Sequence, residues 1–163
     1  MTEYSRIYGL ETRIVRLFNT VGPGQLGSYG MVLPRFIQRA LRNENVQIYG
    51  DGKQTRCFTH VDDVVEAMLL IDSAKLAIGE VFNIGNNTEI SMIDLANKII
   101  EMCDSKSQIE FVEYREVYQE NFEDMRRRVP DTSKITSTLG WEASRSLEQV
   151  INDIISFEKK EML

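Results

Sequence analysis

Apolar residues recur at helical spacing along much of the chain. Ser91 precedes Met92, Leu95, Ala96, Ile99 and Cys103, one face of a helix with a serine placed to cap its first N–H groups. Ser146 likewise precedes Leu147, Val150, Ile151, Ile154 and Ile155, and Gln149 completes a Ser-x-x-Gln capping box. Asp62 or Asp63 is placed to cap a third helix carrying Val64, Val65, Met68, Leu69 and Ile71. A fourth, from about Val32 to Leu41, buries Val32, Phe36, Ile37, Ala40 and Leu41 if those residues share a face. A shorter helix is expected from near Asp131 to Gly140, where a glycine suits the C-terminus. Met1 to Tyr8 reads as the end of a helix whose beginning is missing.

Strand candidates fall between these helices. Arg13 to Phe18, Val46 to Tyr49, Glu80 to Ile84 and Ile109 to Tyr114 are short, rich in β-branched and aromatic residues, and bounded by Gly, Asn or Asp. Strands alternating with helices point to an α/β fold with at least partly parallel pairing. The chain carries no internal repeat, low-complexity tract or linker rich in Pro, Gly or Ser. Tyr114 to Pro130 is polar, holds Arg126-Arg127-Arg128 and is expected to be a long loop, a kind usually functional or disordered in a compact domain.

A length of 163 residues predicts one domain, 1–163. With 25 acidic against 19 basic residues the formal net charge is −6, which gives a phosphate backbone no electrostatic reason to bind, so no nucleic-acid partner is expected. Apolar runs such as Val64 to Ile71, broken by Glu66, are too short to cross a membrane. The first residues carry no signal-peptide pattern. Cys57, Cys103 and the lone His60 cannot assemble a zinc site or a disulfide framework, so no metal is expected and the setting reads as reduced and cytoplasmic.

Two formal motifs carry little. Gly22-Pro-Gly24-Gln-Leu-Gly27 has the G-x-G-x-x-G spacing of a dinucleotide turn, but Pro23 interrupts it and Ser28, Tyr29 and Gly30 precede any helical pattern. It reads as a substrate-facing loop. Tyr49-Gly-Asp-Gly-Lys53 has the Tyr-x-x-x-Lys spacing that stacks a lysine beside a catalytic phenol on a helix, but its two glycines predict a hairpin-like turn.

Five ordered segments carry a more specific signal: Arg16 to Pro23, Val46 to Gly52, Gln54 to Asp63, Phe82-Asn-Ile-Gly85, and Pro130-Asp-Thr-Ser-Lys134 with Leu139-Gly-Trp141. Together they resemble the extended short-chain dehydrogenase/reductases that act on nucleotide sugars, a family of epimerases, dehydratases and decarboxylases. The resemblance covers nearly the whole chain but only the family's C-terminal half. It implies the last part of a Rossmann-like NAD-binding fold, residues 1–30, followed by a small substrate-binding α/β lobe, mainly 31–163. The N-terminal Rossmann half, with its glycine-rich turn and catalytic Tyr-x-x-x-Lys, is absent. In the complete enzyme the resemblance implies NAD and a transient keto sugar, with the hydride taken up and returned by the cofactor. It also implies a homodimer. The chain alone is expected to be inactive, with no catalytic residue of its own and a tendency to self-associate.

The resemblance also assigns residues. Asn19 matches a donor to the substrate diphosphate, although an Asn at a strand end also suits a turn; Leu17 and Thr20 match positions near the nicotinamide. Leu33 matches the helix start around the nucleotide, and Gln47 and Tyr49 the strand that brackets the base. Arg56 matches a diphosphate-binding arginine, a role suited to its fixed fork of donors, and Arg128, with Arg127 next, matches a second. His60, Cys57, Cys103 and Trp141 read as packed side chains. The implied partner is a UDP-sugar, or a dTDP-sugar. Met31 stands where the family's UDP-glucuronate decarboxylases carry an arginine, which weakens the decarboxylase reading. A UDP-sugar 4-epimerase is expected, with a UDP-glucuronate decarboxylase or a sugar-nucleotide 4,6-dehydratase as alternatives. A non-catalytic binding module is the reading from another class.

Overall fold

The structure is a computed structural model that describes residues 2–27, 31–114 and 125–162. In chain order its first elements are α1 (Thr2–Tyr8), β1 (Ile14–Leu17), β2 (Thr20–Val21), α2 (Val32–Leu41), β3 (Val46–Tyr49), β4 (Thr55–Arg56) and β5 (Thr59–His60). Then come α3 (Val61–Ser73), a 3₁₀ turn (Lys75–Ala77), β6 (Val81–Ile84), β7 (Ile90–Ser91) and α4 (Met92–Met102). The described chain ends with β8 (Ile109–Val112), β9 (Arg127–Arg128), α5 (Ser133–Leu139) and α6 (Leu147–Glu161). The fold is α/β. It divides into two compact units interleaved in sequence: Met1–Thr20, Cys57–Thr88 and Val129–Ser146 form one, and Val21–Arg56, Glu89–Arg128 and Leu147–Leu163 the other.

In the first unit β1 and β6 run parallel, from Ile14 opposite Val81 to Leu17 opposite Ile84. Parallel pairs need cover on their faces. Here Phe82 and Ile84 of β6 are buried with Val64, Ala67 and Ile71 of α3, Ala77, Ile135 of α5 and Trp141. The apolar stripe of α3 is narrower than its sequence suggests, for Val65, Met68 and Leu69 are exposed. Its cap differs too. His60, in extended conformation, accepts from the Asp62 N–H through Nδ1 at 3.0 Å, and Asp62 and Asp63 already lie in the first turn. A residue inside the turn lacks the non-helical backbone of a cap, so neither aspartate can serve as one.

In the second unit β3 and β8 pair in parallel, Val46 opposite Ile109 through Tyr49 opposite Val112. β4 lies between β7, antiparallel to it, and β9, parallel to it. Helices α2, α4 and α6 supply the core residues Leu33, Phe36 and Ile37, Leu95 and Ile99, and Val150, Ile151 and Ile154, all buried. Ser91 caps α4 as expected, accepting from the Asp94 N–H at 3.1 Å. The turn after Tyr49 uses Gly50 and Gly52 at φ 72° and 69°, and a Cβ on Gly52 would stand 2.6 Å from Ile93 Cγ1. It is not a hairpin turn, because β3 and β4 enter different sheets. Arg127–Arg128 is a strand, where a loop was expected; two residues are too few to show periodicity. Residues 115–124 of that expected loop, and Ser28, Tyr29 and Gly30, lie outside the described residues.

Candidate functional site

The β4–β9 ladder decides what each arginine can do. Thr55 stands opposite Arg127 and Arg56 opposite Arg128. Successive side chains on a strand point to opposite faces, so the two rows look different ways. The first row meets Glu89: Thr55 Oγ1 donates to Oε2 at 2.8 Å, and Arg127 donates from Nε to both carboxylate oxygens at 3.1 Å and from Nη2 to Oε1 at 2.7 Å. The second row sets Arg56 beside Arg128, both half-buried. Arg56 Nη1 donates to the carbonyls of Thr55 and Met125 at 2.8 and 2.7 Å, which fixes the guanidinium. Arg126 donates from Nη1 to both oxygens of Asp51 at 2.8 and 2.7 Å. Three consecutive arginines thus meet three different surroundings, and sequence could not separate them.

These contacts shift two carboxyl groups. Hydrogen bonding from Arg127, then Thr55, holds Glu89 below its ordinary 4.5, and Arg126, then the Lys53 N–H, holds Asp51 below 3.8. A depressed carboxyl pKa stabilises the fold above the ordinary value, and that contribution is lost as pH falls through the lowered one. Carboxyl-carbon NMR titration should therefore place the Glu89 midpoint below 4.5, and Arg127→Ala should return it upward. An unmoved midpoint in that variant would refute the pairing.

The outward face of β3 carries Gln47 and Tyr49, while Val46 and Ile48 point into the core. Arg35 of α2 reaches across this face: its Nη1 donates to Tyr49 Oη at 2.5 Å, and its guanidinium carbon lies 4.3 Å from the Tyr49 ring centroid. Gln47 Nε2 donates to Glu110 at 3.2 Å. Arg35 was not anticipated from sequence, where one cation on an amphipathic helix looks like any solvated charge. Leu33 is fully buried and contributes to the core, with no accessible side-chain surface.

The remaining expected residues belong to the first unit. Leu17 ends β1 and is 43% exposed, and Thr20 begins β2. Asn19 adopts φ 40°, a left-handed conformation that asparagine tolerates, and its Nδ2 donates to the Cys57 carbonyl at 2.8 Å. Gly22 to Gly27 starts no helix, since α2 opens only at Val32. A polar cleft of about 550 Å³ in this unit, walled by Asn86, Asn87, Asp131, Ser133 and Glu142 among others, includes none of the expected site residues. Among the described residues no cluster of three His, Cys, Asp or Glu is placed for a metal, and no helix is long and apolar enough to cross a membrane.

The parallel strands and their covering helices make this an α/β protein whose structural neighbours are of the Rossmann type. The family model of GDP-mannose 4,6 dehydratase matches residues 1–154, and the chain belongs to that family, within the extended short-chain dehydrogenase/reductases. It is 40% identical over 152 residues to a UDP-N-acetyl-alpha-D-glucosaminuronate decarboxylase of Bacillus cytotoxicus, covering 93% of this chain and 47% of that one. The crystal structure of Thermotoga maritima UDP-glucose 4-epimerase with UDP-glucose matches at TM-score 0.86 and 31% identity, over 99% of this chain and 50% of that one. A dTDP-glucose 4,6-dehydratase of Bacillus anthracis, solved in complex with NAD, matches at TM-score 0.83 and 27% identity, over 98% of this chain and 48% of that one. The chain therefore spans about half the length of these relatives.

Proposed function

We propose that this chain binds the diphosphate of a UDP-sugar, as the substrate-binding part of an NAD-dependent enzyme that works through a transient 4-keto sugar. The observation that carries the reading is the side-by-side pair Arg56 and Arg128. Like charges placed directly opposite each other on neighbouring strands repel. A diphosphate is attracted to two neighbouring positive charges and matches the forked guanidinium donors. Arg128, opposite Arg56 in the ladder, is the second phosphate ligand, with Arg127 next. Gln47 and Tyr49, sharing the outward face of β3, are assigned to the base. The roles of Asn19, Leu17 and Thr20 rest on the family resemblance. Leu17 offers an exposed apolar surface at the carboxyl end of a parallel strand, where α/β proteins bind ligands, and so fits a nicotinamide contact. NAD, when bound, supplies the hydride exchange; the residues named here bind and orient. Free Cys57 and Cys103 fit a cytoplasmic setting.

For the reaction outcome we hold to 4-epimerisation, on Met31. Decarboxylation is the second reading, favoured by the 40% identity to a decarboxylase. Thermal unfolding with UDP, dTDP, UDP-glucose and UDP-glucuronate tests both, since a ligand that binds only the folded state raises its midpoint. UDP should stabilise the chain, and Arg56→Ala or Arg128→Ala should each weaken binding by about tenfold or more, since a charge-assisted hydrogen bond is worth roughly 1.5–3 kcal/mol. A chain indifferent to every nucleotide, or an Arg56→Ala variant with unchanged affinity, would sink the reading. A marked preference for UDP-glucuronate over UDP-glucose would favour decarboxylation.

A further inference from the structure

We propose that Arg35 is the base-reading residue of this chain, taking a ring carbonyl of uracil or thymine as its acceptor. The inference rests on the nucleotide-binding reading above and deepens it. Arg35 is half-buried on α2, yet among the described residues no carboxylate pairs with it, whereas Arg126, Arg127 and Arg145 each hold an acid. Its Nε is buried with no acceptor. Of its five N–H bonds, one serves Tyr49 Oη at 2.5 Å and another points to the Gln47 carbonyl at a long 3.5 Å. A partly desolvated cation with spare donors calls for an acceptor.

The geometry points to a flat one. The guanidinium carbon lies 4.3 Å from the Tyr49 ring centroid, so the cation packs against the phenol and offers a flat group of its own. Planar bases stack on such surfaces whatever their sequence. Discrimination then comes from hydrogen bonding, and arginine has donors only. Uracil and thymine each present two carbonyl acceptors. Cytosine replaces one with an amino group, and adenine presents an amino group and no carbonyl; facing arginine, those amino groups set donor against donor. Gln47, on the same face, carries an amide that can pair with a ring N–H.

The test is calorimetric titration of the 163-residue chain with UDP, CDP, ADP and inorganic pyrophosphate. The wild type should prefer UDP to CDP and ADP by about tenfold. Arg35→Met should lose about tenfold in UDP affinity, bring UDP and CDP level, and keep its pyrophosphate affinity, which also certifies that it is folded. Arg35→Lys, which keeps the charge and loses the fork, should fall between. Equal losses of UDP and pyrophosphate in Arg35→Met would make Arg35 a phosphate ligand and overturn the proposal. An unchanged UDP-to-CDP ratio would overturn it as well, leaving the nucleotide reading intact. A wild-type chain that binds neither UDP nor pyrophosphate would overturn both.

Discussion

Alanine in place of Asp63 is expected to lower the stability of the first unit by about 3 kcal/mol, near the bottom of the range for breaking a buried ion pair. Asp63 is 1% exposed and satisfied from three sides. Ser144 Oγ donates at 3.0 Å, the Arg145 N–H at 3.2 Å and Arg145 Nη1 at 2.5 Å. These bonds tie the first turn of α3 to the segment after Trp141. The low end of the range applies because Arg145 remains partly exposed and keeps Glu66 at 3.0 Å, so it is not stranded when its buried partner goes. Asp63→Asn should cost less, since the remaining amide oxygen still accepts from the Arg145 N–H. Trp141 is the one tryptophan and belongs to this unit, so its fluorescence in a urea titration reads the effect directly. An unshifted midpoint in Asp63→Ala would show that the buried carboxylate contributes nothing net.

The same residues show what sequence can and cannot disclose. Ser91 announces its helix because a hydroxyl before an apolar periodic run has one favoured use. His60 does not, because histidine is an uncommon cap and Asp62 and Asp63 beside it are the usual ones. The motif segments Phe82 to Gly85 and Pro130 to Lys134 could be recognised without being understood. The structure explains them as neighbours. Asn83 Nδ2 donates to the Asp131 carbonyl at 2.9 Å, Lys134 reaches Glu80 at 2.6 Å, and a Cβ on Gly85 would stand 2.7 Å from Pro130 Cγ. A glycine there is a requirement of close packing. The arginines mark the limit in the other direction. That Arg56 stands beside Arg128, and Arg127 against Glu89, follows from the register of two-residue strands far apart in sequence. No local pattern encodes that register. Arg35 lay beyond reach for the same reason, since only tertiary packing reveals that among the described residues no acid comes to meet it.

Phe82→Ala should cost more than the loss of Asp63, about 4 kcal/mol, within the range for truncating a buried aromatic. The ring is fully buried in the first unit's core with Ile84, Ile135 and Trp141, and Lys134 Nζ sits 5.1 Å from its centroid. Truncation removes the transfer energy of the phenyl group and leaves a hole that fixed neighbours on β6, α3 and α5 fill only in part. Phe82→Leu, which keeps most of the volume, should cost about 1–2 kcal/mol. The losses at Asp63 and Phe82 differ in kind as well as size. A polar group lost at Asp63 leaves donors that water can satisfy at a partly exposed arginine. The hole at Phe82 is apolar, and apolar cavities of this sort stay dry and accept small apolar guests. Benzene should therefore raise the urea midpoint of Phe82→Ala and leave those of the wild type and Asp63→Ala in place. A full penalty with no benzene rescue would mean that the core had collapsed around the missing ring and that the cost lay in strain.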